Sequence, residues 1–357
     1  MKQFQIAVLP GDGIGPEVIS EAVRVVERVS AGFRHGQLIF QEYPCGAREY
    51  LKNGDPLPAA TMQACRGADA VLLGAMGLPS VRWPSGTEMT PQLDLREQLD
   101  LYAGVRPIRL YHASHSPLKG YQAGEIDFVI FRENTEGLFF SRKNAVDFRA
   151  DHCDDTLRIT RTAAEKICRA AFEMARTRRK HLTLIDKSNV LPSMAYFRSI
   201  FDGLAGQYPG VETDRVYVDA AALFLVKSPR RFDVMVTENM FGDILSDLAA
   251  GLVGGMGMAP SGDIGASHAV FQPSHGSAPD IAGQGIANPL AAILSAAMML
   301  DWLGREGGDT GRELQSAARK IHLAVERVCS NPENATRDLG GNVSTGRMGE
   351  LVLAALD

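Results

Sequence analysis

The sequence is poor in cysteine and contains no paired cysteine motif. Its 357 residues include five cysteines, none of which forms a CxxC pair; they are Cys45, Cys65, Cys153, Cys168 and Cys329. An odd, scattered set gives no basis for a disulfide framework or a zinc site. We therefore expect reduced, buried thiols in a cytoplasmic protein.

An excess of positive charge and a long apolar run are also absent. Lys and Arg number 37 against 42 Asp and Glu, a net charge of −5, so neither nucleic acid nor an anionic membrane is an expected partner. No basic segment followed by an apolar core opens the chain. The longest apolar run starts at Asn288-Pro289 and meets Asp301 well short of a membrane span. It predicts a core helix with an amide cap.

Strand-like apolar runs alternate with helical patterns along the chain. The runs lie at 70–77, 127–134, 181–189 and 232–239, and the helical patterns at 17–29, 162–176 and 243–253. Such alternation predicts an α/β fold with a largely parallel sheet, and the length favours two domains. The segment 76–91 is rich in Pro, Gly and polar residues, which is typical of a loop beside a site.

Three of the apolar runs end in charged or amide side chains: Arg132-Glu133-Asn134, Asp186-Lys187-Ser188-Asn189 and Glu238-Asn239. Ligands bind beyond the carboxyl ends of strands in open α/β sheets. These ends are therefore a candidate site, with ordinary capping of strands as the alternative.

The glycine-rich segment after the first strand does not fit a Rossmann fingerprint. Gly11, Gly13 and Gly15 follow the strand-like run 4–9, whereas the dinucleotide motif is G-x-G-x-x-G with an acidic residue about twenty positions later. The third glycine comes one residue early, and Glu42 lies too far along the chain. The spacing therefore argues against an ordinary dinucleotide loop.

Two carboxylates on one helical face are the strongest local indication of a functional site. Asp243 and Asp247 are four residues apart in "ENMFGDILSDLAAG", where most neighbours are apolar or small. Their repulsion needs a neutralising partner, and hard oxygen ligands suit Mg²⁺ or Mn²⁺. The alternative is an exposed acidic pair.

Two further segments carry candidate binding groups. Arg96, Arg106 and Arg132 are suited to gripping carboxylates, although surface ion pairing, as between Arg96 and Glu97, is the alternative. The segment 272–289 could cradle a nucleotide with Asp280 on the ribose, or be an ordinary long loop.

Six segments together resemble the β-decarboxylating dehydrogenases, the family of isopropylmalate, isocitrate, homoisocitrate, tartrate and malate dehydrogenases. In chain order they are "LPGDGIGPEV", "LDLYAGVRP", "FRENTEGL", "DKSNVLP", "FGDILSDLAAGLVGG" and "HGSAPDIAGQGIANP".

The resemblance implies an isopropylmalate-dehydrogenase-like two-domain α/β fold with a large mixed sheet, not an ordinary Rossmann fold. A cofactor-binding domain would comprise 1–101 and 254–357. A dimerisation domain, 102–253, would carry substrate and metal residues. The family further implies a homodimer with shared active sites.

The resemblance also assigns roles to individual residues. A small dicarboxylic hydroxy acid would be bound by Arg96, Arg106, Arg132, Thr90 and Gln92. Lys187 and Asp219 would come from the other subunit as catalytic residues, and Mg²⁺ or Mn²⁺ would be held by Asp219, Asp243 and Asp247. The NAD site would comprise Ile14, Asn189, His275, Gly276, Ser277, Ala278, Asp280 and Asn288, with Asp280 favouring NAD over NADP.

Two positions depart from the family pattern. Phe139 occupies the place of a tyrosine that protonates the enolate after CO₂ is lost, and Gln272 stands where relatives usually carry Glu. Three accounts follow: water protonates the enolate; Ser141, on the same strand face as Phe139, positions that water; or the chain is a non-catalytic regulatory subunit. The retained lysine and metal positions favour a working enzyme.

The stretch before Arg96 bears on the substrate. Isocitrate-type relatives carry Ser and Asn at the positions of Thr90 and Gln92, and homoisocitrate-type relatives carry Arg at Leu93. Isopropylmalate-type relatives carry leucines and a glutamate in this stretch to receive a branched alkyl group, so Met89 to Leu93 match no type. The resemblance implies NAD-dependent oxidative decarboxylation, and a partly polar, partly apolar pocket favours a 3-substituted D-malate as substrate, with 3-isopropylmalate as the best single candidate. Isocitrate, homoisocitrate, D-malate and tartrate are alternatives.

Overall fold

A mixed ten-stranded sheet organises the computed structural model, which describes residues 1–144 and 146–356. The strands are β1 Lys2–Gly11, β2 Gly36–Glu42, β3 Ala70–Ala75, β4 Ala103–Arg109, β5 Asp127–Glu133, β6 His181–Asp186, β7 Glu212–Tyr217, β8 Val234–Thr237, β9 Pro260–Ile264 and β10 Ala269–Pro273. The helices are α1 Gly15–Ser30, α2 Ala47–Asn53, α3 Ala59–Gly67, α4 Pro91–Gln98, α5 Arg161–Thr177, α6 Pro192–Ala205, α7 Val218–Lys227, α8 Asn239–Gly251, α9 Leu290–Leu303, α10 Gly308–Cys329 and α11 Thr345–Ala355.

The strand order is β2-β1-β3-β10-β9-β4-β5-β8-β6-β7. The outer strands pair in parallel, as alternating β and α elements predict, but β9 runs antiparallel to both β10 and β4, and β4 antiparallel to β5. Six of the nine strand pairings are parallel, so the expected largely parallel sheet is confirmed; the three antiparallel pairings lie at its centre, where β9 and β10 follow each other without an intervening helix. The large mixed sheet implied by the family resemblance is confirmed.

Helices cover both faces of the sheet. One apolar core packs α1, α9, α10 and α11 against β1, β3 and β10; two others pack α5 with α6, and α7 with α8, onto opposite faces of β4, β5, β6 and β8. The strands β2, β1, β3, β10 and β9 come from 1–101 and 254–357, and the remaining five come from 102–253. The division into two domains at these boundaries stays a prediction.

Helix α9 confirms the expected core helix. Eleven of its fourteen residues are buried, so it is apolar on nearly every face. The helix begins one residue after Pro289, and the Asn288 side-chain oxygen accepts a hydrogen bond from the Leu290 backbone N–H at 3.0 Å. No helix in the described ranges combines the length and apolar character needed to span a bilayer.

The cysteines are free thiols, and four of the five are buried, as expected; Cys153 is exposed, contrary to the expectation of burial. Burial raises the pKa of Cys65 to about 11 and that of Cys329 to about 12. These two thiols are therefore protonated and unreactive at neutral pH.

The glycine-rich turn at 11–15 ties three segments together through Asp12. Its fully buried carboxylate accepts backbone N–H bonds from Ala47 at 2.7 Å, Arg48 at 2.9 Å and Gly77 at 2.8 Å. Gly13 has a φ of +57°, and an added Cβ would lie 1.8 Å from the Ser277 carbonyl oxygen. The turn therefore packs against both the loop after β3 and the segment 275–285.

We expect Asp12→Asn to lower the free energy of unfolding by about 2–4 kcal/mol, because an amide NH₂ then faces backbone donors in a buried site. Urea denaturation followed by circular dichroism measures this loss. Asp69→Asn is the matched control, since Asp69 accepts one backbone bond, from Gln5 at 2.7 Å, and should change stability by less than about 1 kcal/mol. Equal effects of the two variants would contradict this role of Asp12.

Candidate active site

Three arginines from separate elements converge at the centre of the sheet. Arg96 lies on α4, Arg106 on β4 and Arg132 near the end of β5; all three are 6% exposed or less. Burial and the nearby Arg96 lower the pKa of Arg132, and burial also lowers that of Arg106. The alternative of surface ion pairing is therefore wrong for these residues, and the cluster is a buried, positively charged surface suited to carboxylates.

A polar atom of the cluster lacks a partner. Within the described residues, the buried Nε–H of Arg106 donates to no acceptor, while its Nη1 donates to the Ser274 hydroxyl at 3.1 Å. Buried guanidinium donors are normally hydrogen-bonded. This orphaned donor is an observation that a bound carboxylate would explain.

Asp263 on β9 is a site residue that sequence reasoning missed. Its buried carboxylate lies 2.9 Å from Arg96 Nε and 3.7 Å from Arg106 Nη2. It also accepts hydrogen bonds from Asn134 at 2.8 Å and Gln272 at 2.7 Å. The departure at Gln272 thus lies beside the arginine cluster, although no local motif in "PSGDIG" indicated its partner.

The acidic pair on α8 faces the same cluster. Asp243 forms an ion pair with Arg132, whose Nε also donates to the Asn239 side-chain oxygen at 2.9 Å. Gly242 permits this approach, since an added Cβ would lie 2.7 Å from Arg132 Cβ. Asp247 is exposed when all of its atoms are counted, but its carboxyl group is partly shielded from water. This desolvation and the charge of Asp243 raise the pKa of Asp247. The pair is therefore part of the arginine site and not an isolated acidic surface.

Lys187 and Asp219 form a separate pair. Lys187 Nζ donates to Asp219 Oδ1 at 2.7 Å, and this hydrogen bond is the main cause of the lowered pKa of Asp219. Lys187 follows β6 and Asp219 lies in the first turn of α7. In the parts of one chain that the structure describes, no three His, Cys, Asp or Glu side chains come together as a metal site. One subunit thus does not assemble Asp219 with Asp243 and Asp247.

The predicted cofactor segment contacts the glycine-rich turn. Ser277 accepts a backbone bond from Ile14 at 2.8 Å, and its hydroxyl donates to the Gly77 carbonyl at 2.6 Å. Glu17 accepts from the Gly283 backbone N–H. Ala278 has a φ of +37°, a conformation that costs a non-glycine residue energy and is concentrated at functional sites.

A cavity of about 280 Å³ opens between these segments, lined by Ile14, His275, Ile281, Asn288, Arg337 and Asp338 among others. Burial lowers the pKa of His275, and its Nε2 is buried without a partner in the described residues. Gly276 and Asp280 are exposed beside the cavity. Asn189 is also exposed, but it follows β6 beside Lys187.

The residues before Arg96 start α4. Thr90 is the residue before the helix, and Met89 is buried. Gln92 has a buried Oε1 without a partner in the described part of the chain. Glu97, the residue after Arg96 on α4, forms ion pairs with Arg142 and Lys143. The surface ion pairing on this helix therefore involves Glu97 and not Arg96.

Phe139 lies over the arginine cluster, but Ser141 does not share its face. The Arg132 guanidinium carbon is 5.2 Å from the Phe139 ring centre. The segment Leu138–Lys143 is a 3₁₀ helix and not a strand, so residues two apart point in different directions. Ser141 is buried, and its hydroxyl accepts from the Thr156 backbone N–H at 2.8 Å. The expectation that Ser141 positions a water beside Phe139 is therefore wrong.

These arginines, carboxylates and loops on a mixed α/β sheet define a class of metabolic dehydrogenase. The chain belongs to the isocitrate/isopropylmalate dehydrogenase family of oxidatively decarboxylating enzymes, whose sequence profile matches residues 5–352. It is 44% identical to a 3-isopropylmalate dehydrogenase of Moorella thermoacetica over 99% of both chains. It is 42% identical to that of Bacillus subtilis over 99% of this chain and 97% of the relative.

Solved structures agree with the family assignment. The crystal structure of isocitrate dehydrogenase from Methylococcus capsulatus has a TM-score of 0.86 at 36% identity, covering 99% of each chain. An apo β-decarboxylating dehydrogenase from Thermococcus kodakarensis has a TM-score of 0.80 at 38% identity, covering 99% of this chain and 96% of that one.

The family resemblance predicts that Asp247 is a metal ligand, and we therefore expect Asp247→Asn to weaken Mn²⁺ binding by at least about tenfold, because a neutral amide would replace an anionic oxygen. Because the pKa of Asp247 is raised, a proton competes with Mn²⁺, and affinity in the unmodified protein should fall as pH falls through that raised pKa. Calorimetric titration with Mn²⁺ measures both. Asp309→Asn, on the exposed first turn of α10, is the control, and an equal affinity for the two variants would exclude Asp247 as a ligand.

Proposed function

We propose that the protein catalyses NAD- and divalent-metal-dependent oxidative decarboxylation of a 3-substituted D-malate to a 2-keto acid, CO₂ and NADH. The best candidate substrate is 3-isopropylmalate. The observation that carries the proposal is the buried cluster of Arg96, Arg106 and Arg132 with its unpartnered donor, beside the acidic pair on α8. Relatives 42–44% identical are named 3-isopropylmalate dehydrogenase, which supports the choice of acid.

The acidic residues fit a divalent cation if two subunits share a site. Asp243 and Asp247 supply hard oxygen ligands from one chain, and Asp219 of the partner subunit is the proposed third ligand. Lys187 would arrive together with Asp219, since the two are hydrogen-bonded at 2.7 Å. The donor set suits Mg²⁺ or Mn²⁺ and not a soft metal.

An exposed apolar surface supports the homodimer. Leu223 and Val226 on α7 are 54% and 44% exposed, and Ile244 on α8 is 59% exposed. Leu223 lies four residues after Asp219, so both are on one face of α7, and Ile244 lies between Asp243 and Asp247. A second copy that covered these side chains would bring its own Asp219 towards the acidic pair.

The lining of the cofactor cavity suits one nucleoside of a dinucleotide. Its lining is apolar at Ile14 and Ile281, with His275 and Asn288 as polar groups, and the exposed Asp280 is suited to accept from ribose hydroxyls. An acidic side chain at that place would repel a 2′-phosphate. We therefore propose NAD and not NADP.

The chain's own groups then act on the bound acid. A bound NAD would supply a hydride acceptor, and a bound divalent metal would supply positive charge for the negative charge developing on oxygen. Arg96, Arg106 and Arg132 orient the substrate carboxylates. Because the cluster is buried away from water, the hydrogen bonds between the guanidinium groups and the carboxylates are stronger than in solvent. Lys187 of the partner subunit would take the proton of the substrate hydroxyl as a neutral amine, and Asp219, which accepts a hydrogen bond from Lys187 Nζ, would orient it.

The proposed function is tested by following NADH and CO₂ from purified protein with NAD, Mn²⁺ and each of five acids: 3-isopropylmalate, D-malate, tartrate, isocitrate and homoisocitrate. Equal amounts of NADH and CO₂ from one acid would identify the substrate. NADH without CO₂ would contradict decarboxylation. No turnover of any acid, with intact NAD binding, would contradict a self-sufficient enzyme and favour the regulatory-subunit alternative.

Phe139→Tyr should increase kcat by about 100-fold or more where protonation of the enolate limits the rate, since a positioned acid contributes roughly 10²- to 10⁴-fold. The new hydroxyl would lie near the arginine cluster, because the Phe139 ring is 5.2 Å from Arg132 Cζ. Steady-state kinetics with 3-isopropylmalate measures the gain. Phe140→Tyr, at a neighbouring position that is 46% exposed, is the control; the same kcat in both variants would show that the missing tyrosine does not limit turnover.

Mixing two inactive variants tests the shared site. Lys187→Met and Asp247→Asn each disable both sites of a homodimer, but a mixed dimer has one site with neither change. Random exchange of subunits should restore about one quarter of the original activity, because half of the dimers are mixed and each has one intact site. Activity after refolding the mixture from urea measures this. Absence of recovery, with mixed dimers verified by mass spectrometry, would mean that Lys187 and Asp247 serve the same subunit.

A further inference from the structure

A buried carboxylate shares the arginine cluster with the proposed substrate. Asp263 is 1% exposed, and it has four polar neighbours: Arg96, Arg106, Asn134 and Gln272, at 2.9, 3.7, 2.8 and 2.7 Å. No step of the proposed reaction uses this group. Its charge is nevertheless next to the groups that would bind substrate carboxylates.

The sheet holds Asp263 firmly in this place. In the register of β9 it lies opposite Gly104 on β4 and Val270 on β10. Gly104 leaves room for the amide that bonds to Asp263, since an added Cβ would lie 2.7 Å from Asn134 Oδ1. The carboxylate is therefore a built part of the site, with both oxygens hydrogen-bonded.

Asp263 is an anion in the folded protein. Burial works to raise its pKa, but the Arg96 and Arg106 charges outweigh burial and hold the pKa below the ordinary range. The neighbouring Gln272 is neutral and donates through its amide. A carboxylate at position 272 would instead lie against Asp263 in a buried site, where two like charges repel strongly.

We propose that Asp263, held by Gln272, is a positioning residue that sets the charge of the acid accepted by the arginine cluster, favouring doubly over triply charged acids. Its carboxylate offsets one of the three positive charges and occupies the Nε edge of Arg96, whereas Asp243, the anion beside Arg132, is assigned to the metal in the proposed function. Two positive charges of the three arginines then remain, and they balance two substrate carboxylates better than three. This inference rests on the proposed function, because it assumes that the cluster binds the substrate acid.

The experiment compares Asp263→Asn with the unmodified protein. The Asn side chain keeps the shape of Asp263 but removes its charge. Binding of malate, a dianion, and of isocitrate, a trianion, is measured by calorimetry with Mn²⁺ at about pH 8, where all their carboxylates are ionised. We expect the ratio of isocitrate affinity to malate affinity to rise at least about tenfold in the variant, because a buried negative charge close to the ligand is lost. The ratio of kcat/KM for isocitrate to that for 3-isopropylmalate should rise in parallel.

Asp233→Asn is the matched control. Asp233 is also 1% exposed and ion-paired to an arginine, Arg178, at 2.8 Å, but it lies just before β8. It should destabilise the protein without changing the ratio. Gln272→Glu is a second variant that tests the inference if Asp263→Asn does not fold. It adds negative charge beside Asp263 and should lower the same ratio.

The outcomes separate this inference from the proposed function. A ratio in Asp263→Asn that stays within twofold of the unmodified protein, or that changes equally in Asp233→Asn, would overturn the role of Asp263. A ratio raised by Gln272→Glu would also overturn it. A shift in the binding ratio in a protein that turns over none of the acids would refute the proposed reaction but support the charge role of Asp263.

Discussion

The burial of three guanidinium groups at the centre of the sheet is the constraint on which the rest of the site depends. Arg96, Arg106 and Arg132 are nearly inaccessible to water, and buried like charges are unfavourable unless anions lie beside them. Asp263 and Asp243 supply two such anions from β9 and α8. The strand order, which places β9 next to β4 and β4 next to β5, is therefore required for the arginines to be charged and buried together.

Asp243 connects the two halves of the proposed chemistry. It pairs with Arg132 and also belongs to the acidic pair with Asp247. A cation bound to that pair would draw charge away from Arg132 and leave the guanidinium freer for a substrate carboxylate. Binding of metal and acid are thus expected to be coupled through one side chain, a coupling that contiguous charged networks commonly provide.

The glycine-rich turn and the segment 275–285 form the other part of the site by direct backbone contact. Gly13 lies against Ser277, and Asp12 fixes the loop after β3 from the same turn. These contacts explain why "GDGIGPE" begins with closely spaced glycines yet does not follow the spacing of a Rossmann motif. Gly13 lets the backbone of Ser277 approach the turn, and Asp12 holds the neighbouring loops through hydrogen bonds to their backbone.

The sequence by itself determined the elements and the chemistry of its motifs, because periodicity, capping and short motifs are local properties. The runs at 127–134 and 181–189 became β5 and β6, and the run from Asn288 became the buried helix α9. Tertiary structure alone decided the antiparallel direction of β9, the 3₁₀ conformation around Ser141 and the place of Asp263 beside Arg96. Asp263 lies 167 residues from Arg96 in the chain, and the packing of distant segments, which no local pattern encodes, brings their charges together.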